Sequence, residues 1–106
     1  MPKIYFAGPR DLPTSRPQPG VTERAIHGDG VVLRTFDLAA RTVIETHRHE
    51  GPRLGVVTRG SVAMVIAGEQ RILTEGDSFS IPAGAAHGTR VLEHDAQVLE
   101  VAAVER

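Results

Sequence analysis

The chain has 106 residues, of which 41% are hydrophobic and 24% are charged, and its formal net charge is −1. This length and composition are typical of one folded domain with a single core, and the near-zero net charge gives no overall positive field that would indicate nucleic acid or an anionic membrane as a partner. There is no cysteine, so disulfides, thiolate nucleophiles and cysteine-based metal sites are excluded, and a metal ion would have to be held by His, Asp or Glu.

The first residues, "MPKIYFAGPR", contain an apolar run too short for a secretory signal, and Gly and Pro follow it directly. No later segment is long and apolar enough to cross a bilayer. We therefore expect a cytoplasmic protein that has no membrane partner.

The N-terminal segment is predicted to be an arm outside the main domain. The run "KIYFA" (residues 3–7) is compatible with a short strand, whereas "GPRDLPTSRPQPG" holds four prolines between Pro9 and Pro19. Proline lacks the amide hydrogen that helices and central strands need, so we expect an extended arm or surface loop. The sequence thus divides into an arm over residues 1–20 and one barrel over residues 21–106.

Beyond the arm, short runs rich in Val, Ile, Leu and Thr alternate with breaks that contain Gly or Pro, and no window keeps a helical period. This pattern predicts an all-β sandwich or barrel. Glycines in "RGS" and "AGEQ" predict tight hairpin turns, and the doubly apolar "SVAMVIA" predicts a strand covered on both faces, with a second subunit as a candidate cover. The predicted strands are "VTERAI", "VVLRTFDL", "TVIETH", "LGVVT", "SVAMVIA", "EQRIL", "SFSI", "HGTRV" and "AQVLEVAAV".

A pair of histidines, His47 and His49, lies in the stretch "ETHRHEGPRLGVVTRG". Side chains two residues apart on a strand point to the same face, so the two imidazoles could occupy adjacent positions around one metal ion. Histidines on a solvent-facing strand also occur at this spacing, and the pair alone does not separate the two interpretations.

A second stretch, "GDSFSIPAGAAHG", could return a third imidazole to the first two. Gly76 begins a turn, "SFSI" is a short strand, Pro82 ends it, and Gly84 permits a sharp reversal. His87 then begins the next strand.

The two stretches resemble the paired motifs of the cupins, G-x5-H-x-H-x3/4-E-x6-G and G-x5-P-x-G-x2-H-x3-N. The resemblance implies a double-stranded β-helix, a jelly-roll-like barrel, with a divalent metal ion such as Zn, Fe, Ni or Mn on His47, His49 and His87. It also implies a homodimer, since small cupins usually pair. The first motif is matched by His47, His49 and Gly60, and the second by Gly76, Pro82, Gly84 and His87.

Three positions depart from the motifs: Arg41 replaces the opening Gly, Val91 the closing Asn, and Arg53 the acid or amide that often supplies a fourth metal ligand. A guanidinium cannot bind a cation and stays charged. At an effective dielectric of about 20, its repulsion of a divalent ion about 5 Å away would be about 6 to 7 kcal/mol.

Three outcomes are open for Arg53: it turns away, an anion lies between the two charges, or the site holds no metal. Candidate anions are Glu45, Glu50, Glu100 and a substrate carboxylate held in bidentate fashion. A plain ion pair between Arg53 and a neighbouring Glu is as good an interpretation as substrate binding.

The C-terminal run "VLEVAAVER" resembles a D-x-F-x-x-x-R pattern of cupins that linearise unsaturated uronates from pectin and alginate. The three positions of this pattern are occupied by Glu100, Ala102 and Arg106. An acid and an arginine are therefore present as in the pattern, but the aromatic residue is missing.

The leading hypothesis is a metal-dependent enzyme of lyase or isomerase type that acts on a small carboxylated or carbonyl-bearing molecule. Glu100 would move a proton while Arg53 or Arg106 holds the carboxylate. Alternatives are an iron-dependent dioxygenase on the same three histidines, a non-catalytic module or sensor that binds a small ligand, and a degenerate cupin with an empty pocket. His27 and His94 lie in turn-like surroundings and are expected to be surface residues.

Overall fold

A computed structural model describes residues 5–104 of the chain. These residues form ten β-strands and one short 3-10 turn, Pro9–Asp11, and no helix among them is long and apolar enough to cross a membrane. The all-β prediction is confirmed. The strands are β1 Thr14–Gln18, β2 Val21–His27, β3 Val31–Leu38, β4 Val43–His47, β5 Arg53–Arg59, β6 Val62–Ile66, β7 Glu69–Leu73, β8 Ser78–Ile81, β9 His87–Val91 and β10 Ala96–Ala103.

The strands form two sheets. One has six strands in the order β1-β2-β3-β10-β5-β8, and the other has four in the order β4-β9-β6-β7. From β3 onward the chain changes sheet at every connection except the β6–β7 hairpin. The two sheets therefore enclose one interior, and the predicted double-stranded β-helix is confirmed.

The core lies between the sheets and is aliphatic apart from Met64 and Phe79. Strand alternation points every second residue inward, as in β3, where Val32 and Leu38 are buried. Burial of each such side chain stabilises the fold by about 1.5–3 kcal/mol. Val91, which stands at the position of the motif asparagine, is one of these core residues.

The two predicted glycine turns have different outcomes. Ala67 and Gly68 both have positive φ, at 50° and 85°, and join paired strands, so the "AGEQ" hairpin is confirmed. The prediction of a hairpin at "RGS" was wrong, because β5 and β6 belong to different sheets. Gly60 has φ 75°, and a Cβ there would lie 2.5 Å from the carbonyl oxygen of Asp95. A glycine indicates that the chain changes direction, but it does not show which strands pair with each other.

The N-terminal arm adds an edge strand to the six-stranded sheet. β1 pairs with β2 in antiparallel register, with Thr14 opposite Arg24. An edge strand tolerates proline because one of its sides needs no amide donors. The boundary drawn at residue 20 falls in the turn between β1 and β2. The predicted strand over residues 3–7 lies partly outside the described residues, and residues 5–7 are not in a strand.

The strand β6 lies between β9 and β7, and its residues Val62, Ala63 and Met64 are already buried within one chain. Exposed apolar side chains lie elsewhere, as at Leu54, which is 61% exposed and pairs in register with Val101. The homodimer stays a prediction.

Candidate metal centre and its cavity

The three motif histidines meet at one end of the barrel interior. His47 is the last residue of β4, His87 is the first residue of β9, and the two are directly opposite in the register of these paired strands. His49 lies two residues beyond the end of β4. One ligand nitrogen from each ring lies within 4.8 Å of the others, and the ring centroids are 4.3 to 4.9 Å apart.

Hydrogen bonds to main-chain carbonyls hold the two motif segments together. They are needed because β4 ends before His49, and strand geometry alone does not fix that residue. The amide of Gly84 donates to the carbonyl oxygen of His49 at 2.8 Å, and the Arg48 guanidinium donates to the carbonyl oxygen of Gly84 at 2.9 Å. Gly84 has φ 74°, the left-handed conformation that glycine adopts most readily.

Two carbonyl groups orient the imidazoles. Nδ1 of His47 lies 2.8 Å from the carbonyl oxygen of Glu45, and Nδ1 of His87 lies 3.0 Å from that of Ala85. A carbonyl only accepts, so each Nδ1 donates its hydrogen and the lone pair of each of these two rings lies on Nε2. Nε2 of His47 lies 2.9 Å from Nε2 of His49, which is within hydrogen-bond distance.

His49 is held in its neutral form. Burial, followed by the positive charge of Arg53, lowers the pKa of His49 from 6.5 to about 4. The neutral form is the one that binds metal ions, so at neutral pH this ring offers a lone pair without first losing a proton.

These residues fit a divalent metal ion. Metal-to-imidazole bonds of about 2.0–2.1 Å place tetrahedral ligand nitrogens about 3.4 Å apart, a spacing that small side-chain movements would give here. Among residues 5–104, the side chains that could together hold a metal ion are His47, His49 and His87, and His87 is 5% exposed. Three imidazole ligands would leave coordination positions open, as in catalytic rather than structural sites.

Arg53 forms an ion pair with Glu100. Nη1 of Arg53 lies 2.7 Å from Oε1 of Glu100, and the two side chains are 18% and 13% exposed. Of the acids considered from the sequence, Glu100 is the one paired with Arg53 here, whereas Glu45 contributes its main-chain carbonyl to His47. The carboxylate offsets the guanidinium charge that would otherwise repel a metal ion.

The ion pair belongs to a row of alternating charges that the sequence analysis missed. Glu23 on β2 and Arg34 on β3 form a second pair, with 2.9 Å between Arg34 Nε and Glu23 Oε2. Arg34 is directly opposite Glu100 in the register of β3 and β10. The row therefore runs Glu23, Arg34, Glu100, Arg53 across four adjacent strands, β2, β3, β10 and β5.

A signal for the missed pair was present in the sequence. In "VVLRTFDL", Arg34 alternates with Val32 and Leu38, so it shares a face with residues that are buried. A charge on the apolar face of a strand needs a partner inside the fold. Glu23 stands in the same relation to buried Val21.

The histidines and the charge row line one cavity of about 570 Å³, which has the size of a small-molecule site. Phe36, Phe79 and Ile81 contribute apolar walls. A ligand bound here would contact apolar side chains on one side and charged groups on another.

The remaining sequence predictions divide as follows. His27 and His94 are exposed, as expected. Ala102, which stands where the uronate-type pattern has its aromatic residue, is buried. Arg106 lies outside the described residues, and its part in the site stays a prediction. Arg41, at the motif's opening glycine, adopts φ 66°, so the departure leaves the left-handed turn in place.

The cupin domain family matches residues 34–102 of the chain. This segment runs from Arg34 in β3 to Ala102 in β10 and contains both motifs. A comparison with curated proteins finds no match.

Solved structures of the same architecture cover nearly the whole chain. An RmlC-like cupin from Shewanella frigidimarina is 16% identical, with a TM-score of 0.89 over 98% of this chain and 94% of its own. KdgF from a Halomonas species is 24% identical, with a TM-score of 0.88 over 98% and 96%. The polyketide cyclase RemF from Streptomyces resistomycificus is 23% identical, with a TM-score of 0.80 over 97% and 81%. At these identities the likeness shows a shared fold.

Proposed function

Because the chain belongs to the cupin domain family, we propose that it is a metal-dependent enzyme of lyase or isomerase type that acts on a small carboxylated or carbonyl-bearing molecule. The observation that carries the proposal is one cavity in which the group His47, His49 and His87 lies beside the Arg53–Glu100 ion pair. Metal ligands, a carboxylate anchor and a proton carrier are thus within reach of one bound molecule.

Arg53 is the proposed carboxylate anchor. Its guanidinium already holds a carboxylate, that of Glu100, at 2.7 Å. A planar fork of donors suits bidentate binding of a carboxylate, which fixes both the position and the orientation of the ligand. The apolar wall formed by Phe36 and Phe79 would then contact the uncharged part of the ligand.

Glu100 is the proposed proton carrier. Ring opening of a cyclic unsaturated uronate is an isomerisation: the hemiacetal hydroxyl loses a proton, the bond from C1 to the ring oxygen breaks, and the enolate so released gains a proton at C4 and becomes a ketone. One carboxylate that takes and returns a proton serves both transfers, and such groups contribute about 10²- to 10⁴-fold.

The proposed ligands of the ion are His47, His49 and His87. When bound, a divalent ion supplies Lewis acidity to a carbonyl or hydroxyl oxygen. The hydrogen bonds from Nδ1 of His47 and His87 to main-chain carbonyls keep those rings oriented for this task.

The uronate class is supported by two resemblances. The C-terminal positions Glu100 and Arg106 resemble the acid and the arginine of the uronate-linearising cupins, and KdgF, from that group, shares the fold. The missing aromatic at Ala102 and the arginine at position 53 distinguish this chain from that pattern. The proposal is therefore for the reaction class, with unsaturated uronates as the first substrates to assay.

A non-catalytic ligand-binding module is the second candidate. The ion pair favours it, because Glu100 is engaged with Arg53 and would need to be released before it could move a proton. An iron-dependent dioxygenase on the same histidines is a third candidate, since imidazole also suits Fe(II).

The test is an anaerobic assay of the metal-loaded protein with unsaturated uronates, in which ring opening removes the absorbance of the double bond conjugated to the carboxylate. We expect Glu100→Gln to lower kcat by at least about 100-fold while metal content is kept. Glu93→Gln, at an exposed turn residue, is the matched control and should leave kcat unchanged.

Other outcomes would redirect the assignment. Binding of uronates without turnover would favour the module, and turnover only with oxygen consumption would favour the dioxygenase. Full activity in Glu100→Gln would contradict the role given to that residue.

A further inference from the structure

In the row of alternating charges, Glu100 lies next to two arginines. It pairs with Arg53 at 2.7 Å, and it faces Arg34 directly across the β3–β10 pairing. Side chains directly opposite on one face of an antiparallel sheet have Cβ atoms about 4.5–5.5 Å apart, a distance that these long side chains span. All three residues line the same cavity.

Arg34 has donors to spare. It uses Nε toward Glu23 at 2.9 Å, and a guanidinium carries five N–H groups arranged so that two carboxylates can be bound along different edges. Arg34 can therefore accept Glu100 without releasing Glu23.

We propose that Arg34 is a positioning residue for ligand binding: a ligand carboxylate takes the place of Glu100 on Arg53, and Glu100 moves to Arg34. The inference rests on the proposed role of Arg53 as carboxylate anchor. After the exchange, the ligand carboxylate and both glutamates of the charge row each have an arginine partner, which is the condition for displacing a partly buried charge at low cost.

This exchange also defines the ligand class. The row holds two arginines and two glutamates, so its own charges balance, and one incoming carboxylate occupies the single arginine face that Glu100 vacates. The site is matched to a ligand with one carboxylate whose remaining groups are hydroxyl or carbonyl oxygens. A second carboxylate on the ligand would have to compete with Glu23 for Arg34.

The test measures binding rather than turnover, in EDTA, so that its result is independent of metal chemistry. The probes are D-galacturonate and D-galactose, which differ in that a neutral CH2OH group replaces the carboxylate. Titration calorimetry or NMR titration gives the affinities, and circular dichroism checks that each variant is folded. The wild-type protein is expected to prefer galacturonate.

Two variants should change galacturonate binding in opposite directions, and a third change, Glu100→Gln, should abolish both effects. Glu23→Gln leaves Arg34 with no other carboxylate, draws Glu100 away from Arg53 and should tighten galacturonate binding by at least about threefold. The charge-neutral double variant Glu23→Gln with Arg34→Gln removes the second position for Glu100 and should weaken binding by at least about threefold. In a Glu100→Gln background both effects should disappear, because no exchange is then needed.

The background variant separates exchange from simple electrostatics. If Glu23→Gln tightens binding equally with Gln at position 100, the added net charge is the cause, and the proposal is overturned. It is likewise overturned if the double variant binds galacturonate as the wild-type protein does. Tighter binding cannot come from misfolding, so Glu23→Gln remains informative even if the double variant is unstable.

The two proposals fail in different ways. If Glu100→Gln, which frees Arg53 completely, shows no preference for galacturonate over galactose, Arg53 is not the carboxylate anchor and the proposed function loses its substrate class. If that preference is present but the Glu23 and Arg34 variants change nothing, only the exchange is wrong.

Discussion

The interior of the barrel has two regions of opposite character that are built from the same strands. β5 contributes Arg53 to the polar region and Val57 to the apolar one, and β9 contributes His87 and then Val91. Val57 and Val91 are almost completely buried. A small chain can thus combine stability and chemistry in the same strands. The apolar residue at one end packs the strand into the core, and the strand then holds the polar group at its other end in a fixed position. Changes in one region should leave the other region's property largely intact.

The largest effect is expected from removal of a histidine. His87→Ala should weaken metal binding by more than about 100-fold, because even residues that only hydrogen-bond to a metal ligand contribute about 10- to 100-fold. The measurement is urea unfolding with and without added metal ion, where saturation at about 100 times Kd stabilises a protein by about 2.7 kcal/mol. The variant should lose this metal-dependent gain.

His94→Ala is the matched control, since His94 is an exposed residue of a turn. It should keep the full metal-dependent gain. An equal loss in both variants would mean that the ion binds outside the cavity.

A change in the apolar region should have the converse result. Leu73 is a buried residue of the core that does not line the cavity of the histidines. Leu73→Ala should lower the free energy of unfolding by about 2–3 kcal/mol in EDTA, at the lower end of the range for such truncations because β7 is an edge strand. Metal content per folded chain should be unchanged, and a loss of metal would show that the two regions are not separable.

Gly55 lies between the two regions, directly opposite Glu100 and beneath the ring of Phe79. A Cβ at this position would lie 2.1 Å from Phe79 Cζ, so the ring would have to move. Gly55→Ala should therefore destabilise the protein by about 1–3 kcal/mol and also weaken galacturonate binding. Gly51→Ala, where an added Cβ meets nothing within 4 Å, is the control and should change neither property measurably. Normal binding by Gly55→Ala would mean that the charge row tolerates movement of its neighbours.

A further effect concerns pH. The pKa of His49 is lowered from 6.5 to about 4 in the folded chain, first by burial and then by Arg53. Between these values the unfolded chain binds a proton at His49 that the folded chain does not, so in EDTA stability should fall as the pH is lowered from 6.5 toward 4 and level off below. Unfolding curves of His49→Asn should lack this part of the pH dependence. An unchanged pH profile would contradict the lowered pKa.

Much of the fold could be predicted because its local signals are strong. The runs "VVLRTFDL", "EQRIL", "SFSI" and "HGTRV" are strands in full, since each is a β-rich segment between turn residues. Which strands share a sheet could not be predicted in this way. Gly60 illustrates the reason, because pairing depends on contacts between distant segments and not on the turn residue itself.

The site shows the same division. Motif spacing predicted the convergence of His47, His49 and His87. The pairing of β4 and β9 brings His47 and His87 together, and the hydrogen bond from the Gly84 amide to the His49 carbonyl holds the segment of His49 beside them. The partner of Arg53 could only be given as one of several acids, because Glu100 lies 47 residues away and comes near through the β5–β10 pairing. The alternation of residues in β2 and β3 places Glu23 and Arg34 on the inward faces of these strands. Their role in the site can be inferred only once those strands are known to line the cavity.

Elemental analysis of the wild-type protein and of His47→Ala tests most directly whether the polar region is a metal centre. Both proteins would be grown in metal-replete medium and purified without an affinity-tag metal or chelator. The account predicts about one divalent ion per wild-type chain, as a single three-histidine site requires, and almost none in the variant. A wild-type protein free of metal, or a variant that retains as much metal as the wild type, would contradict it.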